Sequence, residues 1–452
     1  MIESQADYNN FLKETDSHDI ILSVIAVDDK EIHSAISKIS AVLIKDLETD
    51  KIYILSVNHP DCVYSIEINQ FISDIQRPRN LWCFDKKSTI QLLPIKNLLD
   101  IDLYTHLKDG WIIDLNSHET TAHKLIKRNY QKERNINLSI PLLKHKELFE
   151  NVCDELRIKI QLSDLDVGYL KENEIIIETL SELEINGIHV NPIYFKNYFN
   201  AEIYDNNLVY SQYNIYSSTG RSSNHFNNVN YAALNKSDGC RKCFTSRYGD
   251  EGKMVLIDYS AFHPRIISYL IKFPLDIDTD IYTYLGELYF HRKVTEYDMN
   301  EVKSITMRQL YGGVEEKYQH IKYLSYVKEF IEKYWVDFKK NGYIKTPLFG
   351  RFITNKHLLD PNSYKLLNYI LQATETEIAV TALMLVNRYL KTKKTKAVLY
   401  TYDSILFDFH KSEGNETLKE IIRIMKMKDR FPIKIYEGDS YDSLKESLSP
   451  LG

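Results

Sequence analysis

V-L-I-D-Y-S-A-F-H-P-R, residues 255–265, decides how this chain is read. The apolar run 255–257 ends in Asp258, and small, turn-capable residues follow before a more helical stretch begins at Arg265. So short an apolar run suits a buried strand better than a helix. A carboxylate at the end of such a strand sits at the edge of the core, ionised yet rigidly held, where a metal ligand is most useful. Asp also starts turns, so one instance says little. Residues 397–407, A-V-L-Y-T-Y-D-S-I-L-F, repeat the design: apolar residues flank Asp403 on both sides, as in a hairpin whose tip carries the acid. Two carboxylates, each delivered by an apolar strand, are what a two-metal nucleotidyl-transfer site requires.

With 452 residues, the chain is long enough for two or three domains. Its 57 basic and 63 acidic residues give a formal charge of -6. That excludes an overall basic shell, so any nucleic-acid contact must come from a local patch. The five cysteines, at 62, 83, 153, 240 and 243, are too sparse for a disulfide scaffold and suggest a reducing compartment. Cys240 and Cys243 form a C-x-x-C without the second pair a four-ligand zinc site needs, so reduced structural thiols are expected. No secretory start and no 18-residue apolar run is read, so neither export nor membrane spanning is expected.

Residues 1–165 read as an α/β domain. A strand is expected over 20–27, a hairpin from the runs 41–45 and 53–57, and a further strand at 80–85 ending in Asp85. An amphipathic stretch lies at 119–129, and 142–162 reads as a helix that carries Asp154. Asp29, Glu31, Asp85 and Asp154 would form one metal cluster if they converged; as surface and turn acids they would need no such explanation. A helix over 174–186 stops at Asn186-Gly187. Residues 206–239 are rich in Ser, Asn, Tyr and Gly and read as a long polar loop, either a binding surface or simply solvated. Within it, Arg221 is suited to a phosphate or a groove.

Residues 300–311 form a helix stopped by Gly312-Gly313. Lys303, Met307 and Tyr311 are four apart and share one face. A cation, an apolar side chain and a phenol in line suit triphosphate, base and sugar; they also suit an ordinary amphipathic face. The Tyr- and Lys-rich stretch 317–342 is compatible with duplex backbone contact. In the long helix 363–390, Asn368 and Gln372 lie on one face, where amides can bond to base or sugar edges.

Together these stretches resemble the family A, polymerase I-type, DNA polymerases. V-L-I-D-Y-S-A-F-H-P-R-I is similar to the family's first palm motif. T-G-R at 219–221 resembles its upstream element, continued by N-N-V-N-Y from Asn227 through Asn230. K-S-I-T-M-R-Q-L-Y-G at 303–312 resembles the fingers helix, N-Y-I-L-Q at 368–372 the later helix, and Y-D-S at 402–404 the second palm motif. The order and spacing hold over about 175–440. Upstream, the acids near 29–31, F-D at 84–85 and the helix around Asp154 resemble a diverged 3′–5′ exonuclease, with Glu150 where that family places an aromatic.

The resemblance implies a mixed α/β and α+β architecture: a right-hand palm and fingers with a reduced thumb, preceded by a ribonuclease H-like exonuclease-type domain. The implied division is 1–165 exonuclease-like, 166–205 connecting helix and vestigial thumb, 206–265 palm entry, 266–345 fingers, and 346–452 palm completion. Asp258, Asp403 and Lys303 would be catalytic, with two Mg²⁺, or Mn²⁺, on Asp258, Asp403 and the Tyr259 carbonyl. Tyr259, His263, Tyr282, Lys303, Met307 and Tyr311 would meet the nucleotide; Arg221, Asn227, Asn230, Arg265, Asn368 and Gln372 would meet DNA. Primer–template DNA, dNTPs and a processivity or replisome protein are the implied partners. The implied setting is the cytoplasm or the replication compartment of a virus or phage host. The departures are specific. His263 replaces a glutamate that limits room for a 2′-hydroxyl, and Met299 replaces an arginine. Tyr282 stands where a histidine is common, and Tyr402 and Ser404 flank Asp403 in place of histidine and glutamate. Met307 and Ser404 are closer to single-subunit RNA polymerases, so an RNA-synthesising primase or transcriptase remains open. So does a polymerase-derived binding or structural protein without the chemistry.

Overall fold

A computed structural model describes residues 1–26, 32–76, 79–110, 121, 141–161 and 166–447. The chain forms two compact units, Met1–Ser181 and Glu182–Gly452, so residues 166–181 group with the first.

The first unit is built on five strands: β1 (Ile20–Ala26), β2 (Ile39–Asp46), β3 (Ile52–Ser56), β4 (Leu81–Cys83) and β5 (Leu98–Asp100). They lie in the order β3-β2-β1-β4-β5. β1 to β3 form an antiparallel meander, whereas β4 runs parallel to β1 and β5 parallel to β4. The expected hairpin is present, with Ala41 opposite Ser56 and Lys45 opposite Ile52. Leu22, Val42, Ile44 and Leu55 turn one face of the sheet onto Phe11, Phe71 and Ile75 of the covering helices. The helix expected over 142–162 is Leu142–Gln161. The amphipathic stretch at 119–129 falls outside the described residues except for residue 121.

The second unit is organised around β6 (Gly252–Tyr259), with β7 (Lys396–Thr401), β8 (Ser404–His410), β9 (Ile433–Gly438) and β10 (Lys445–Glu446) completing its sheet. The order is β7-β8-β6-β9-β10, and every neighbouring pair is antiparallel. β6 is thus hydrogen-bonded along both edges. Its Met254, Val255 and Ile257 are fully buried, which fixes the level at which Asp258 emerges. The polar stretch 206–239 is not one loop. Tyr213–Asn214, Ser223–Phe226 and Val229–Asn230 pair as a small sheet. Its turn is Asn227-Asn228, with φ of 48° and 63°, the left-handed pair a two-residue hairpin demands and Asn tolerates. Between residues 187 and 221 the described α-helix is the short Pro192–Tyr198.

Ser363–Leu390 is the longest described helix, 28 residues, opened by Asn362, whose side chain accepts from the backbone N–H of Tyr364 and Lys365. By length and composition it is apolar enough to span a membrane, but 72% of its most apolar window is buried in the fold, as in a core helix. Two glutamates lie in its buried part. Glu377 takes the hydroxyl of Thr346 and, at 3.3 Å, the backbone N–H of Leu348, and so ties the 346–348 segment to the helix. Burial pushes its carboxyl up from 4.5 to about 7. A raised carboxyl binds its proton more tightly in the folded state, so its contribution is full at acid pH and is lost as pH rises through about 7. At roughly 1.4 kcal/mol per pKa unit, the effect is on the order of 3 kcal/mol. Urea unfolding from pH 4 to 8 should therefore show Glu377→Gln gaining stability relative to wild type as pH rises. A difference that stays flat across that range would refute the assignment.

Candidate active site

Asp258 is the penultimate residue of β6 and lies opposite Ser404 of β8. Thr401 pairs with Ser404, so Tyr402-Asp403 is the two-residue turn between β7 and β8, with Tyr402 at φ 56°. The backbone N–H of Tyr259 donates to the Asp403 carbonyl at 2.9 Å. The sheet register therefore brings the two aspartates, far apart in sequence, to the same end of adjacent strands. Burial, and then the Asp403 charge, push Asp258 up to about 7 against partial relief from Lys236 and Lys434. Asp403 is raised by burial and by Glu375, with Arg221 and His263 opposing. Asp258 Oδ1 is buried without a hydrogen-bond partner. A buried, unpartnered carboxylate oxygen beside a second carboxylate is a donor set that fits a hard divalent cation.

Both aspartates face a cavity of about 750 Å³. Lys303, Met307 and Tyr311 line it in a row from the helix Met299–Gly312, whose Val302, Ile305 and Leu310 are buried. The spacing of four does place them together. The Lys303 ammonium is 5.7 Å from the centre of the Tyr282 ring. Burial is the main cause that pushes the Tyr282 phenol up to about 12, with Asp280 and Asp403 adding to it. Asn368 and Gln372 line the cavity from Ser363–Leu390, joined by a 2.9 Å hydrogen bond from Gln372 Nε2 to Asn368 Oδ1. Met299 also borders the cavity. Tyr259 also lines it, but its phenol donates to the Met425 carbonyl at 2.9 Å.

Arg221 reaches the cavity from the T-G-R turn. Its guanidinium lies 3.7 Å from the centre of the Tyr402 ring. Gly220 ahead of it has φ 77°, and a Cβ there would collide with the Arg351 guanidinium. That guanidinium donates to the Ser217 carbonyl at 2.9 Å. His263 joins Tyr311 through Nδ1 and the hydroxyl. Its Nε2 lies 3.2 Å from Glu375, a residue the sequence reading passed over. The available signal was the A-T-E-T-E-I segment, two acids set between the apolar stretches of a long helix.

Other expected residues lie elsewhere. Arg265 corrects its expected DNA contact: it is 5% exposed and donates to the carbonyls of Asp276, Ile277 and Thr279. Asn227 is a turn residue, as above, and Asn230 is exposed on its short strand. In the first unit, Asp85 caps the helix Lys86–Leu92 by accepting from Ser88 N–H. Its own N–H donates to Asp102 at 3.0 Å. Asp154 pairs with Lys45 at 3.4 Å, opposite Ile21 near the start of β1. Asp29 and Glu31 lie outside the described residues, and they follow the other end of that strand in sequence. Among the described residues, no three His, Cys, Asp or Glu side chains come together as a metal-holding group.

No protein-family model and no curated protein matches this sequence. The fold does match. The polymerase domain of Pol1 from M. smegmatis, solved in complex with DNA primer-template and dNTP, superposes with a TM-score of 0.67. The match covers 96% of this chain and 97% of that one at 14% identity. The chain has the fold of a polymerase domain.

Proposed function

We propose that this chain is a template-directed DNA polymerase that adds deoxynucleotides to a primer 3′ end. One observation carries the reading: the two aspartates meet at one end of the β6 sheet, and Asp258 Oδ1 is left unpartnered beside a cavity that also holds Lys303. Asp258 and Asp403, with the Tyr259 carbonyl, would hold two Mg²⁺ ions, or Mn²⁺. When bound, such a pair activates the primer hydroxyl and steadies the triphosphate and leaving pyrophosphate. Lys303 offsets negative charge on the phosphates. Met307 and Tyr311 pack against base and sugar, with Tyr282 beside the phosphates. Arg221, Asn368 and Gln372 track the primer–template. The match to a polymerase domain solved with primer-template and dNTP supports this reading.

The finer division into palm, fingers and reduced thumb belongs to the same proposal. The short Pro192–Tyr198 helix, where a long helical thumb would stand, supports the last of these. A small duplex grip implies low processivity or a partner protein that supplies the grip, in the cytoplasm or a viral or phage replication compartment. For the first unit, the order β3-β2-β1-β4-β5 supports a ribonuclease H-like, exonuclease-type origin.

Asp258→Asn and Asp403→Asn should each cut primer extension by roughly a hundredfold or more, while the strands still pair and the melting temperature is kept. Extension at the wild-type rate with Mg²⁺ alone would refute the two-metal assignment. A wild type that extends no primer would instead favour the binding-protein alternative.

Asp85→Ala should remove any single-stranded DNA digestion by the purified protein. Digestion that survives in that variant would belong to another site or another protein.

Met307 and Ser404 favour RNA synthesis, whereas the bulk of His263 at the sugar side favours DNA. Excluding a 2′-hydroxyl acts through steric conflict and an unpaired polar group, each worth roughly 1–3 kcal/mol. The kcat/KM for dATP opposite template T should exceed that for ATP by about ten- to a thousandfold. His263→Ala should narrow the gap by raising ATP use. Equal or better use of ATP by wild type would establish the primase or transcriptase reading instead.

A further inference from the structure

The helix Ser363–Leu390 presents a buried carboxylate to the cavity. Glu375 is 2% exposed. Its Oε2 lies 3.1 Å from Arg221 Nε and 3.2 Å from His263 Nε2, and its Oε1 lies 3.4 Å from Arg221 Nη2. The Oε2 contacts are close but are not aligned hydrogen bonds; the one to Arg221 is an ion pair, and the one to His263 is ionic only when the ring is protonated. The opposite ring nitrogen of His263 meets the Tyr311 hydroxyl, and Arg221 rests on the Tyr402 ring. One carboxylate thus links the T-G-R turn, the helices Phe262–Leu270 and Met299–Gly312, and the hairpin tip that carries Asp403.

A carboxylate this deeply buried is unfavourable unless cations and hydrogen bonds surround it. Here the compensation comes from two side chains that themselves line the cavity. Glu377, two residues along, provides a contrast within the same helix. Residues at that spacing do not face each other. Glu377 braces the 346–348 segment through a hydroxyl and a backbone N–H, while Glu375 engages cavity side chains. Held at both ring nitrogens, His263 cannot turn about its ring axis without breaking a contact.

We propose that Glu375 is a positioning residue of the nucleotide pocket. Its carboxylate fixes the His263 ring, and through it Tyr311, so that this pair bounds the space open to the sugar of an incoming nucleotide. The same carboxylate holds Arg221 on Tyr402. Nε2 faces Glu375 and Nδ1 meets the Tyr311 hydroxyl, so a ring held this way would keep a proton on Nε2. The assignment to the sugar rests on the polymerase reading above; the locked ring does not.

The test is a double-mutant cycle. The kcat and KM for dATP and ATP opposite template T are measured for wild type, Glu375→Gln, His263→Ala and the double variant. Glu375→Gln is expected to narrow the dATP preference by about tenfold, chiefly by lowering KM for ATP. In the His263→Ala background the same change should move the preference by less than about twofold, because its target is gone. Equal narrowing in both backgrounds would overturn the proposal. If wild type extends no primer, the polymerase reading and the sugar role fail together. The locked ring is then judged in nucleotide-free wild type by ¹⁵N-histidine spectra, with His263 assigned by its loss in His263→Ala. These spectra also serve if Glu375→Gln does not fold. A protonated, exchange-protected Nε2 supports the positioning role, and an unprotonated or freely exchanging Nε2 overturns it.

Discussion

Two carboxylates held together by backbone register set the terms for the second unit. Asp258 cannot move away from Asp403, because β6 is bonded on both sides and the Tyr259 N–H is tied to the Asp403 carbonyl. Repulsion between like charges grows as water is excluded, and both groups are raised above their ordinary range. The groups that relieve them come from different parts of the chain: Lys236 and Lys434 act on Asp258, and Arg221 and His263 on Asp403. The arrangement favours bound positive charge, with Lys303 delivered to the same cavity by a separate helix.

The parts of this site that follow from local pattern were legible in the sequence. An apolar run ending in an acid marks β6 and the β7–β8 turn, because strand burial and the solvation of a carboxylate both act over a few residues. The row Lys303, Met307, Tyr311 follows from the helical period, and so does the pair Asn368 and Gln372. What was not legible depends on partners distant in sequence. Arg221 and Arg265 are the same residue type in plausible motif positions. One guanidinium stacks on Tyr402 at the cavity, and the other is consumed by three carbonyls of a neighbouring loop. Glu375 escaped notice because nothing in its own helix shows that an arginine and a histidine would converge on it.

The first unit shows why strand-end acids are ambiguous. A carboxylate that follows a strand and precedes a helix can bind a metal or cap the helix, and the local sequence is the same for both. Asp85 caps, and Asp100 accepts the N–H groups of Lys86 and Leu103 at 2.8 and 2.7 Å. Glu174 takes both the Asp100 N–H and the Lys86 ammonium. Burial pushes Asp100 up to about 7 with Asp85 contributing, so these acids already crowd one another. The network satisfies buried backbone groups, and the strand order could be read only from pairing, not from the acids.

The balance of charge around Glu375 explains how a third carboxylate is tolerated in the second unit's cavity. Unpaired, it would add to the repulsion already felt by Asp403, on which it acts directly. Paired with Arg221 on one side and His263 on the other, it belongs to a group whose net charge is zero or positive, and those two partners are the groups that relieve Asp403. The carboxylate still raises Asp403, but the two partners that hold it in the cavity wall offset part of that effect. A glutamine there would keep much of the shape but lose the ionic hold on Arg221. An arginine or histidine without the glutamate would keep the charge but lose its fixed direction. Rigidity and charge balance at this wall thus depend on the same three side chains.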